Sequence, residues 1–283
     1  MFREGDVVGR KSYGMDLLFK IVQIDVRKKA ATLKGLDMRL LADAPLDDLV
    51  SPDSGDLQEY KSRSEKAQKD CITKIYKRRS LERERLRGKS GRSPDEFFEL
   101  PGKILHLDGD EDYLHECLRA YRALQLDAAG YYFPEKEQPE KIWGLLHEHR
   151  PDILILTGHD AFKKNKKDFT DLKSYSNSRY FVEATRKARQ YEPAKDDLII
   201  FAGACQSHYE AILAAGANFA SAPQRVLIHA MDPVFITEKV AFTSINESVN
   251  IYEVIKNTIT GLDGIGGVET KGKFRLGLPK SPY

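Results

Sequence analysis

Beyond residue 101, short aliphatic runs alternate with amphipathic stretches. The runs fall at 103–107, 128–133, 152–156 and 197–201. Two of them, Ile153-Leu154-Ile155-Leu156 and Leu198-Ile199-Ile200-Phe201, are apolar at every position and end in turn residues. Such runs predict strands buried on both faces of a parallel sheet. The intervening patterns predict helices near 111–125, 139–148, 178–190 and 207–215. Shorter strands are expected over 217–220 and 226–230, a helix over 248–259, and a glycine-rich loop over 261–267. Strand alternating with helix implies a parallel, doubly wound α/β sheet.

The N-terminal part reads differently. Residues 1–50 carry short β-like runs separated by polar turns, the pattern of a small β-barrel of SH3-like type. Residues 51–98 are highly charged, with a mostly polar helix over 60–87 and six arginines between Lys77 and Arg92. This stretch reads as an exposed, Arg-rich helical linker. The expected organisation is a barrel over 1–50, a linker over 51–98 and an α/β domain over 99–283.

Composition narrows the functional classes. Lys plus Arg total 45 and Asp plus Glu 43, a net charge of +2. That balance argues against a nucleic-acid partner. The 3 cysteines are widely spaced, which fits a reducing compartment. No apolar stretch reaches the length of a membrane span, and the first residues lack a signal-peptide core, so a cytoplasmic protein is expected. No Cys or His spacing suggests zinc, and no cofactor is expected.

The candidate chemistry lies just past two of the predicted strands. Thr157-Gly158-His159-Asp160 follows one, and Gly203-Ala204-Cys205-Gln206-Ser207 the other. Parallel strands deliver such residues to one sheet edge, where open α/β folds place their ligands. A thiol and an imidazole brought together there make a nucleophile and its base. Cys205 is expected just before a helix, whose N-terminus would favour the thiolate and offer N–H groups to an oxyanion. The bland alternative is a buried small side chain and a hydrogen-bonded loop histidine; the joint placement favours catalysis. Cys117 reads as core and Cys71 as part of the linker. His208 and His229 are reserve bases. Asp160 and Asp232 are placed to orient a histidine or to bind a basic side chain.

The order His159 before Cys205, 46 residues apart, resembles the caspase-like cysteine peptidases, whose histidine precedes a Q-A-C-[RQG]-G nucleophile. At greater length the chain resembles the YabG family of sporulation-specific proteases. The resemblance rests on three segments: residues 5–14 (Gly-Asp-Val-Val-Gly-Arg-Lys-Ser-Tyr-Gly), residues 154–160 and residues 201–207. It implies a caspase-like sheet and a cytoplasmic mother-cell protease. Such an enzyme would process spore coat and cortex-associated proteins by cleavage after arginine, with Cys205 and His159 as the dyad. Caspase-like enzymes carry glycine directly after the histidine; here Gly158 precedes it and Asp160 follows. The expected oxyanion donors are the N–H of Cys205 and one near Gly158 or Asp160. An arginine pocket needs a carboxylate, for which Asp232 and Asp160 are the candidates. Residues 78–92 offer arginines for self-cleavage.

Three rival readings remain. A receiver-like domain is suggested by Leu105-His106-Leu107-Asp108-Gly109-Asp110, but Thr157 and Gly158 stand where its phosphorylated aspartate belongs. An amidotransferase-like Cys hydrolase would draw its histidine from downstream, His208 or His229. A non-catalytic scaffold built on the barrel and the arginine-rich helix is the third possibility.

Overall fold

A computed structural model describes residues 2–90 and 97–281, with side chains outside 86–90. Five strands open the chain: β1 (Val7–Arg10), β2 (Leu18–Asp25), β3 (Ala30–Gly35), β4 (Leu41–Pro45) and β5 (Leu49–Val50). They form an antiparallel sheet in the order β4-β3-β2-β1-β5. The ladder follows the period-2 pattern: Val8, Phe19, Ile21, Ala31 and Leu33 turn inward to a core of their own.

Helix α1 (Ser54–Ser90) follows as one piece of 37 residues. The expected exposed linker is therefore a long helix docked on the protein. Its polar sequence hides a narrow seam: Cys71, Ile75 and Arg79, four residues apart, are all buried. Arg79 Nε donates to Glu238 Oε1 at 2.6 Å, and Arg78 Nη2 reaches Glu238 Oε2 at 2.6 Å. Glu238 is fully buried, so two guanidinium groups neutralise one desolvated carboxylate.

The remaining elements are β6 (Phe98–Leu100), β7 (Ile104–Asp108), α2 (Glu111–Ala123), β8 (Ala128–Tyr132), α3 (Gln138–His149) and β9 (Ile153–Thr157). After these come α4 (Ser178–Tyr191), β10 (Ile199–Ala202), α5 (Tyr209–Ala214), β11 (Phe219–Ser221) and α6 (Asp232–Phe242). The chain closes with β12 (Ser248–Val249), α7 (Ile251–Lys256), β13 (Ile265–Gly267), β14 (Thr270–Lys271) and β15 (Arg275–Gly277). A mixed six-stranded sheet runs β13-β11-β10-β9-β7-β8. Strands β7 to β11 are parallel and β13 is antiparallel to β11. The chain turns back at the β7–β9 junction, the switch point where open α/β sheets form a crevice.

Alternate residues of the central strands feed two cores. Ile104, Ile153, Ile155, Ile199 and Phe201 meet α1, α2, α6 and α7 on one face. Leu105, Leu107, Leu154, Leu156 and Ile200 meet α3, α4 and α5 on the other. Each such aliphatic side chain contributes roughly 1.5–3 kcal/mol by leaving water. The stretch 226–230, expected to be a strand, is instead extended chain whose one bridge pairs His229 with Met38. Helix α6 was not expected from the sequence. Residues 232–241 are all buried, so no polar face marks a helical period.

Candidate active site

The carboxyl ends of β7, β9 and β10 bring four side chains to one edge: Asp108, Asp110, His159 and Cys205. β9 lies between β7 and β10, so the two predicted motifs emerge from adjacent strands. Gly203, just past β10, has φ +116°, a conformation open to glycine, and a side chain there would crowd Ser221 and Ile212. This turn delivers Cys205 into the interior, where it is 0% exposed. Its Sγ accepts from Ile228 N at 3.2 Å and faces Ile228 O at 3.8 Å. Burial pushes the thiol up to about 12, with the Ile228 N–H and the charge of Arg39 pulling weakly the other way. The expected help from a helix start is missing. Helix α5 is a six-residue helix that begins only at Tyr209.

His159 is held at three points. Its Nε2 lies 3.0 Å from Asp110 Oδ2, its backbone N–H donates to Glu135 Oε1 at 2.6 Å, and its carbonyl accepts from Asn177 Nδ2 at 2.8 Å. With Nε2–H donating to Asp110, Nδ1 carries the lone pair. That nitrogen is buried and has no hydrogen-bond partner among the described residues. The ring centroid of Tyr113 lies 5.7 Å from that of His159. Burial opposes ionisation of Asp110, but His159, the Tyr113 N–H and Lys34 outweigh it and hold the carboxyl below its usual value. Glu135 fills the space above Gly158 and Gly109, where any side chain at either glycine would collide with it. Its carboxyl is raised by burial, against the His159 N–H.

The other predicted residues have local partners. Asp160 accepts from Asn177 N at 2.7 Å, Ala161 N at 2.9 Å and the hydroxyls of Ser178 and Ser207, tying the His159 loop to α4 and to the Cys205 loop. Asp232 accepts from Ile259 N at 2.7 Å, His229 N at 3.2 Å and the Thr260 hydroxyl. Burial raises both carboxyls. His208 caps α5, its Nδ1 accepting from Ala211 N and its Nε2 facing Thr170 O at 2.9 Å. His229 accepts from Met231 N on Nδ1, and burial lowers its pKa. The N–H groups of Cys205, Gly158 and Asp160 donate to no protein group among the described residues.

Two residues escaped the sequence reading of the site. Asp110 is the partner of His159; its signal was the acidic Asp108-Gly109-Asp110 turn at the end of a predicted strand. Arg39 comes from the loop between β3 and β4 of the N-terminal sheet and carried no local signal. Its Nη1 donates to Asp108 Oδ2 at 2.7 Å, and both side chains are 0% exposed.

A profile of the YabG peptidase U57 family matches residues 3–279. The chain belongs to the YabG peptidase U57 family. It is 43% identical over 284 residues, 98% of each chain, to the sporulation-specific protease YabG of Bacillus subtilis (strain 168). No solved structure matches it. The YabG match spans both the N-terminal sheet and the six-stranded sheet. Among the described residues no helix is long and apolar enough to cross a membrane.

Proposed function

We propose that this YabG-family protease is a cysteine endopeptidase that cleaves after arginine, acting on spore coat and cortex-associated proteins in the mother cell. Cys205 is the nucleophile and His159 the base. The observation that carries this reading is the unpartnered, buried Nδ1 of a histidine anchored through Nε2 on Asp110, just past the strand adjacent to the one that leads to Cys205. A base fixed by a carboxylate at one nitrogen and vacant at the other is the arrangement acyl transfer requires.

In the reaction, His159 Nδ1 takes the Cys205 proton as the sulfur attacks the carbonyl carbon of the substrate arginine. The tetrahedral oxyanion is held by the Cys205 N–H and a second donor at Gly158 or Asp160. His159 then protonates the leaving amine, and water, deprotonated by the same imidazole, releases the acyl group. A thiol raised to about 12 is mostly protonated at neutral pH. The proton therefore passes to His159 as the sulfur attacks rather than beforehand. The amidotransferase-like alternative loses support from His208, whose two ring nitrogens are both engaged by backbone groups.

For self-cleavage, Arg85, Arg87 and Arg92 are the proposed sites, because Arg78 and Arg79 hold Glu238 of α6 and Arg83 holds Glu99. Residues 91–96 of that stretch lie outside the described residues. The test is incubation of an arginine-containing protein with the wild type, Cys205→Ala and His159→Ala, followed by mapping of the new termini. The proposal expects cuts after arginine by the wild type alone. Cleavage by Cys205→Ala at the wild-type rate overturns it.

A further inference from the structure

We propose that Asp108 is the carboxylate that selects arginine in this enzyme, and that Arg39 of the N-terminal sheet occupies its pocket as an internal stand-in for substrate. This rests on the proposed cleavage after arginine and names the pocket for it.

The pocket is built for a guanidinium. Asp108 sits at the end of β7, fixed by the Asp110 N–H at 3.0 Å and the Thr157 hydroxyl at 2.9 Å. Arg39 donates through Nη1 to this carboxylate and through Nη2 to Ala230 O at 3.1 Å. The Tyr113 ring lies 5.4 Å from the guanidinium carbon, completing a wall that favours a planar cation. Burial opposes the charge on Asp108, but Arg39 and His106 more than compensate and keep it ionised. Arg39 Nε is buried without a partner, so the fit is incomplete.

The backbone of the same segment lies as an extended substrate would. Arg39 N donates to Ile228 O at 3.0 Å, and Ala230 N donates to Asp37 O at 2.7 Å, with Met38 opposite His229. This is antiparallel pairing by strand addition, the way many proteins take up extended peptides. Ile228 is also the residue whose N–H touches Cys205 Sγ. The register therefore sets Arg39 opposite the residue that borders the nucleophile, with its side chain on Asp108. A buried ion pair is a poor device for stability, since apolar residues of similar volume do as well. Occupation of a specificity pocket explains why it is there.

The experiment uses the full chain and two readouts independent of proteolysis: calorimetric binding of agmatine, a guanidinium on a short alkyl chain, and alkylation of Cys205 by iodoacetamide. Wild type, with Arg39 competing for the pocket, is expected to bind agmatine at least about tenfold more weakly than Arg39→Ala. Arg39→Ala binds it saturably and alkylates at least about tenfold faster as the covering segment opens; agmatine slows that alkylation. Adding Asp108→Asn to Arg39→Ala abolishes agmatine binding. Arg39→Lys, which keeps a cation without the planar fork, is expected to alkylate faster than wild type and serves where the alanine variant does not fold. A folded Arg39→Ala or Arg39→Lys that binds no agmatine and alkylates at the wild-type rate overturns the proposal. Failure of the peptidase reading looks different: agmatine binds as expected, yet Cys205→Ala cuts substrate as fast as wild type.

Discussion

Replacing Asp110 by asparagine separates catalysis from folding at this site. Asp110 does two jobs. Its Oδ2 lies 3.0 Å from His159 Nε2, and its Oδ1 accepts from Tyr113 N at 3.0 Å as the cap of α2. Asparagine caps a helix about as well as aspartate, so the stability change at the cap is a few tenths of a kcal/mol. The amide cannot supply the negative charge that steadies an imidazolium. A hydrogen bond to a charged group is worth about 1.5–3 kcal/mol, which corresponds to roughly 10- to 150-fold in rate. The Coulomb energy of unit charges about 4 Å apart at an effective dielectric of 20, about 4 kcal/mol, is an upper bound. Lys34 keeps a carboxylate after the change, because it also pairs with Asp112. The assay is kcat/KM on an arginine peptide together with the urea midpoint of unfolding. The expected result is a loss of one to two decades in kcat/KM with an unchanged midpoint. Activity within twofold of wild type, or a loss matched by unfolding, would refute the role given to Asp110.

Other perturbations test neighbouring parts of the account. Glu238→Ala strands Arg78 and Arg79 without their buried partner and should cost about 3–5 kcal/mol in urea unfolding; a loss under about 1 kcal/mol would show that α1 is not anchored there. Gly158→Ala drives a methyl group into Glu135 and displaces it from the His159 N–H. Peptide cleavage should fall about tenfold or more, and Gly158→Ala/Glu135→Ala should recover part of it; an unaffected single variant would contradict the packing. Asp108 is held below its ordinary value of 3.8, so its contribution to stability is complete above that pH and is lost as pH falls further. Acid unfolding of Asp108→Asn should accordingly be shallower below pH 3.8 than that of wild type, and equal slopes would contradict the assignment.

The central strands were legible because burial on both faces leaves an unmistakable aliphatic run, as in Ile153-Leu154-Ile155-Leu156. The two motifs past β9 and β10 followed directly from that, since parallel strands share an exit edge. Helix α6 was invisible for the opposite reason: a helix buried on every side has no polar face to set a period. Helix α1 looked like a linker because its contact with the core runs along a narrow seam, with Cys71, Ile75 and Arg79 buried at its centre and few other apolar residues to reveal it. Asp110 was visible as an acidic turn, but its partner lay 49 residues away on another strand. Arg39 and Asp108, 69 residues apart, meet only because the N-terminal sheet folds back over the sheet edge. No local pattern encodes such a contact.

The central claim is that Cys205, assisted by His159, is the nucleophile of an arginine-directed peptidase. An arginyl chloromethyl ketone reports on it directly, because its side chain seeks the arginine pocket and the attacking atom displaces chloride and keeps the label. Intact mass and peptide mapping should place one adduct on Cys205, absent in Cys205→Ala and formed far more slowly in His159→Ala. An adduct on another residue, or undiminished labelling of Cys205→Ala, would contradict the account.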